Sequence, residues 1–96
     1  MIHVKSESEI DLMRESCKIV RDTLEFVAAR IKAGMSTKEV DELVERYIRS
    51  AGAYPSCLGY GGFPASACVS VNETVVHGIP DERTILKDGD IVTVDL

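Results

Sequence analysis

The sequence predicts an α/β chain of the α+β kind, and three observations carry that prediction. Two Ser-x-x-Glu boxes each precede a run with apolar residues at steps of three and four. Helical periodicity stops after Gly52, where glycine, proline and aromatic residues accumulate, and the remaining segment holds short β-branched runs separated by turn residues. The expected order is two helices, a loop, an antiparallel hairpin and a further strand, with no internal repeat and no low-complexity linker.

The first helix starts at Ser6-Glu7-Ser8-Glu9, where a serine hydroxyl and a glutamate three residues later satisfy amides that a helix start leaves unpaired. Behind it Ile10, Met13, Cys17, Val20, Leu24, Val27 and Ile31 form one apolar stripe, with Gly34 as the expected stop. A stripe of only about three heptads before a new cap favours a helix packed on a domain core over a coiled coil. Cys17, on that stripe, is read as core rather than nucleophile. Ser36-Thr37-Lys38-Glu39 is the second box, and Val40, Leu43, Val44, Tyr47 and Ile48 give the second helix its inner face, ending near Gly52.

In the second half, "SACVSV" and "TVVH" flank Asn72-Glu73 and predict a hairpin whose turn uses the asparagine. Lys87-Asp88-Gly89-Asp90 predicts a second turn, and "IVTVDL" a strand. Strand alternation sends Val92, Val94 and Leu96 toward the helices and Ile91, Thr93 and Asp95 to the opposite face.

Composition narrows the function classes. Sixteen acidic against eleven basic residues give a net charge of −5 without a Lys/Arg cluster, so a direct nucleic-acid partner is not expected. No run approaches the roughly 18 apolar residues of a membrane span. Three cysteines, with no Cys-x-x-Cys pair, fit a reduced, cytoplasmic setting better than secretion. No nucleophile elbow, phosphate-binding glycine loop or paired zinc motif is present.

Three features can carry chemistry. Asp95 ends a β-rich run, where a carboxylate meets solvent, an arginine or a metal. His77 lies in "VVHGIP": Pro80 fixes its own φ and restricts Ile79, and Gly78 permits unusual backbone, so the imidazole sits on a stiff corner suited either to a structural hydrogen bond or to a substrate atom. Cys57, Tyr60, Phe63 and Cys68 surround Gly59, Gly61 and Gly62, forming either a small satellite core or an apolar pocket sized for an unbranched thioether or similar side chain.

The segments "CLGYGGFPASACVSVNETVVHGIP" and "LKDGDIVTVDL", with the Ala33-Gly34 helix junction, resemble the amino-terminal portion of the type I methionine aminopeptidases along essentially the whole chain. The resemblance implies the pita-bread fold, two divalent metal ions (Co, Mn, Fe or Zn), and removal of the initiator methionine from nascent peptides, with ribosome association a further implication. It implies that His77 contacts the scissile amide, that Asp95 is the first metal-ligating aspartate, and that Cys57, Tyr60, Phe63 and Cys68 receive the methionine side chain; Phe63 stands where relatives often carry Tyr. It places Asn72 near a backbone-bound monovalent cation. Starting almost at Met1, it implies a bacterial-type enzyme without a zinc-binding extension.

The family's site uses two aspartates, one histidine and two glutamates, of which only the first aspartate falls here. One carboxylate does not hold two divalent ions. Residues 1–96 are therefore expected to be a single partial domain, truncated and inactive alone. The competing readings are a non-catalytic relative that binds a peptide end or protein partner, and a Xaa-Pro peptidase or creatinase relative, which the small pocket disfavours.

Overall fold

The computed structural model describes all residues, 1–96. Helix α1 spans Glu7–Ala28 and α2 spans Thr37–Ser50; a short 3-10 turn at Tyr60–Gly62 follows, then strands β1 (Cys68–Val71) and β2 (Val92–Asp95). Both capping boxes form: Ser6 Oγ accepts the Glu9 amide while Glu9 accepts the Ser6 amide, and Ser36 and Glu39 repeat the pattern. Val40, Leu43, Val44 and Ile48 of α2 are buried with Val27 of α1, Ala67 and Val69 near β1, and Leu86 in one core. At the helix–helix contact Phe26 lies 5.0 Å from Tyr47 between ring centroids, and the Arg30 guanidinium covers the Phe26 ring at 3.7 Å from its centroid.

Helix α1 departs from expectation in two respects. It ends at Ala28 instead of continuing to Gly34, because residues 34 and 35 are drawn into bonds with Leu86: the Gly34 amide donates to the Leu86 carbonyl at 2.8 Å and the Leu86 amide to the Met35 carbonyl at 2.8 Å. Its apolar stripe is buried only in the second half. Val27 is buried and Val20 and Ile31 partly so, whereas Ile10, Met13 and Cys17 face outward. Cys17 is therefore not core here; α2 spans only 14 residues against the 22 of α1 and does not reach the first turns.

The expected hairpin does not form. β1 pairs antiparallel with β2 instead, in the register Cys68↔Asp95, Val69↔Val94, Ser70↔Thr93 and Val71↔Val92. Asn72 does make the turn, at φ 52°, but Val75 and Val76 swing into solvent and His77 adopts φ 55°. A left-handed residue bends an extended chain away from a ladder, so the returning segment meets β1 at Gly78 alone. The Asn72 side chain is spent on the partner turn: its amide donates to Asp90 at 3.0 Å and its carbonyl accepts the Ile91 amide at 3.0 Å.

The sheet is two-faced. Val69, Val71, Val92, Val94 and Leu96 turn toward the helices, as alternation requires, leaving Cys68, Ser70, Thr93 and Asp95 on the other side. The start of α2 fixes the connection between the strands. Thr37 Oγ1 accepts the Asp81 amide at 2.9 Å and donates to the Asp81 carbonyl at 3.1 Å, and Ser36 bridges to Ile85.

Thr37 is 1% exposed, and Thr37→Val leaves the Asp81 amide without its partner while the Asp81 carbonyl keeps the Lys38 amide at 3.1 Å; we expect a loss of about 1–3 kcal/mol in denaturant unfolding. Asp81 and Asp90 close the turns at either end of this connection, and both carboxyls are held below the ordinary aspartate range, Asp81 by the amides of Thr84 and Arg83 and Asp90 by the Asn72 amide and then the Lys87 amide. Their folded values lie below their unfolded ones, so their contribution is complete above about pH 3.9 and is lost as pH falls through the folded values. Hydrogen exchange at the Thr84 and Lys87 amides should therefore accelerate in acid beyond the trend of the α2 amides.

Candidate active site

The cleft face of the sheet and the loop before it bring the sequence-predicted residues together. One cavity of about 590 Å³ is lined by Cys57, Tyr60, Phe63, Cys68, His77 and Asp95, with Gly61, Gly62, Pro64 and Ile79 completing its wall. That volume falls within the usual range for small-ligand sites, and a mostly apolar wall with a few convergent polar groups is their usual make-up. A wider groove of about 820 Å³ lies elsewhere, between the end of α1 and the start of α2. Its rim alternates Arg30, Lys32 and Arg46 with Glu39 and Glu42, and no nucleophile, imidazole or cysteine enters it.

Each wall of the cleft has a structural cause. Cys68 lies directly across the ladder from Asp95, so pairing alone sets a thiol beside a carboxylate. Burial raises both the Cys57 and Cys68 thiols, and the Asp95 charge adds to the effect. Both stay protonated at neutral pH and serve as soft apolar lining, not as nucleophiles. Tyr60 comes from the glycine-rich turn and is 83% exposed, standing at the rim of the cavity.

His77 reaches the cleft from its corner. Two bonds fasten the following residue to β1: the Val69 amide donates to the Gly78 carbonyl at 2.9 Å and the Gly78 amide donates to Ser70 Oγ at 3.1 Å. The approach is close enough to require glycine, since a Cβ on Gly78 would overlap the Val69 carbonyl oxygen and lie 2.9 Å from its carbon. A non-glycine residue at positive φ is uncommon and concentrates at functional sites.

Sequence reasoning missed Asp41. Its Oδ1 accepts the amides of both Ser66 and Ala67 at 2.8 Å, tying the chain just before Cys68 to α2. Burial dominates its titration and raises the carboxyl despite those two bonds. The available signal was its place on α2, one residue after core Val40. Ser70 was missed as well, although alternation puts it on the face of Cys68. Asn72 stands outside the cleft.

Residues 11–96 match the model of metallopeptidase family M24. The chain belongs to this family. It is 52% identical to methionine aminopeptidase 1 of Bacillus subtilis over 96 residues, covering all of this chain and 38% of that protein. It is 48% identical to human mitochondrial methionine aminopeptidase 1D over 95 residues, 99% of this chain and 28% of that one. Among solved structures, methionine aminopeptidase from Thermotoga maritima superposes with a TM-score of 0.93 at 40% identity, covering 98% of this chain and 38% of its own. The M24 chain thus carries part of the pita-bread fold, and spans about two fifths of the length of its bacterial relatives.

For this M24 chain, Gly78→Ala should cost about 1–3 kcal/mol, as overpacking does. The Val69 amide, now without its Gly78 partner, should lose protection from hydrogen exchange; unchanged protection would show that the corner does not depend on the close approach.

Proposed function

We propose that the protein in which this sequence stands is a metal-dependent methionine aminopeptidase, acting in the cytoplasm on nascent peptides that begin with methionine. The observation that carries the reading is the convergence of His77, Asp95 and a soft, apolar Cys57/Tyr60/Phe63/Cys68 wall on one cavity. A thioether is matched by sulfur and aromatic neighbours that adapt to its unbranched shape. The relatives' name, methionine aminopeptidase, supports the same substrate, and three free cysteines agree with a reduced compartment.

The residues present do not by themselves make a metal centre. Asp95 is the one carboxylate on the cleft wall, and nowhere in the chain do three or more His, Cys, Asp or Glu side chains converge for metal binding. A pair of divalent ions needs several oxygen ligands at fixed geometry, so the remaining ligands are proposed to come from outside residues 1–96. Within the chain, the pocket holds the methionine side chain and thereby sets the scissile amide beside His77. The imidazole then donates a hydrogen bond to the reacting amide, which counts most as charge develops there. Asp95 contributes one ligand.

The single cleft carboxylate also favours a second reading for the 96 residues alone, in which they bind a peptide amino terminus without hydrolysis.

Hydrolysis of Met-Ala-Ser with added Co or Mn separates the two. In the complete aminopeptidase, His77→Ala should lower kcat by on the order of 100-fold or more with metal content unchanged, whereas Asp95→Asn should lower metal content first. The reverse pattern would overturn both roles. The 96-residue chain alone should show no turnover; turnover would mean that the missing ligands are supplied within it or by a second copy.

A further inference from the structure

We propose that Ser70 is a positioning residue for His77: its Oγ fixes the Gly78 amide and so keeps the neighbouring imidazole on the cleft wall. The proposal rests on the reading of His77 as a group that acts on the substrate. Ser70 is 7% exposed, is absent from the cleft lining, and so does not touch a bound peptide. What it touches is the corner. Its hydroxyl makes the one side-chain hydrogen bond to the backbone between Thr74 and Pro80, accepting from Gly78 at 3.1 Å.

That backbone is under tension at one residue. His77 holds φ 55°, where an L side chain is disfavoured, and such a conformation persists only when its surroundings over-determine it. Upstream the chain has no such restraint: Val75 and Val76 are 80% and 68% exposed, with the nearest backbone bond at Thr74, whose amide donates to Val71 at 3.0 Å. Downstream, Val69 holds the Gly78 carbonyl at 2.9 Å and Ser70 holds its amide. Two bonds to opposite sides of Gly78 fix its orientation as well as its place; one bond alone leaves it free to rotate. Losing the Ser70 acceptor therefore lets the peptide joining His77 to Gly78 turn and the histidine relax to negative φ, which carries the ring away from the scissile amide.

The structural arm of the test is nuclear magnetic resonance on the 96-residue chain. In Ser70→Ala, the His77 backbone should leave the left-handed region and its ring should lose contact with the cleft wall, while the core resonances of Val40 and Val44 stay in place. An unmoved His77 overturns the proposal. If Ser70→Ala fails to fold, Ser70→Cys keeps the volume and weakens the acceptor, and must show the same displacement in smaller measure.

The kinetic arm uses the active aminopeptidase containing residues 1–96. There Ser70→Ala should lower kcat by ~10- to 100-fold with KM within ~3-fold, the loss expected for a misplaced catalytic group, and Ser70→Thr should restore most of it. Combined with His77→Ala it should add no further loss, since the two act as one unit. A double variant slower by the product of the two effects would overturn the proposal. If His77→Ala leaves kcat intact while Ser70→Ala still displaces the corner, the positioning contact stands and the role given to His77 is what fails.

Discussion

Everything that distinguishes this chain from a plain helix pair on a sheet depends on how closely residue 78 can approach β1. Antiparallel pairing leaves β1 with one edge on β2 and alternate amides pointing the other way. Val69 uses that free edge to take hold of the Gly78 carbonyl, and only a residue without a Cβ fits there. From this contact the rest follows. The chain cannot reach Gly78 from the Asn72 turn as a straight strand, so His77 is forced through the left-handed region and its ring is delivered to the cleft.

Helix α2 holds the other two sides. The start of α2 grips the segment after the corner through Thr37 and Asp81, and Asp41, one turn on, grips the segment before β1. Burying a carboxylate is unfavourable unless donors meet it; here two amides do so at 2.8 Å. Loops on both sides of the cleft are therefore referred to one rigid element, which is how a site built largely on irregular backbone keeps its dimensions.

Local signals in the sequence were legible in proportion to how local their physics is. The two capping boxes, the inner face of α2, the Asn72 and Lys87–Asp90 turns and the alternation of β2 all appear as read, because each is decided within a few residues. The cleft residues were legible too, through a resemblance that covers nearly the whole chain, and the cavity does gather His77, Asp95, Cys57, Tyr60, Phe63 and Cys68. What failed was pairing. "TVVH" has the composition of a strand, yet its segment meets β1 only at Gly78, on the edge opposite β2, and the ladder of β1 is made with β2, some twenty residues further on. The stripe of α1 misled for a related reason: periodicity marks a face as apolar without saying how far along the helix a neighbour extends to cover it. Asp41 and Ser70 carry no motif, and their importance lies wholly in which amides they meet.

Strand β1 alternates between two duties, with Val69 and Val71 turned to the hydrophobic interior and, on the other face, Cys68 lining the cleft and Ser70 holding the Gly78 amide. A four-residue strand cannot shift one set without moving the other. Interior packing and the position of the cleft wall are in this way mechanically linked: Val69 shares one core with Val44 and Ala67, and its chain neighbour Cys68 lines the cavity. Interior residues that line no part of the cavity thus bear on its shape.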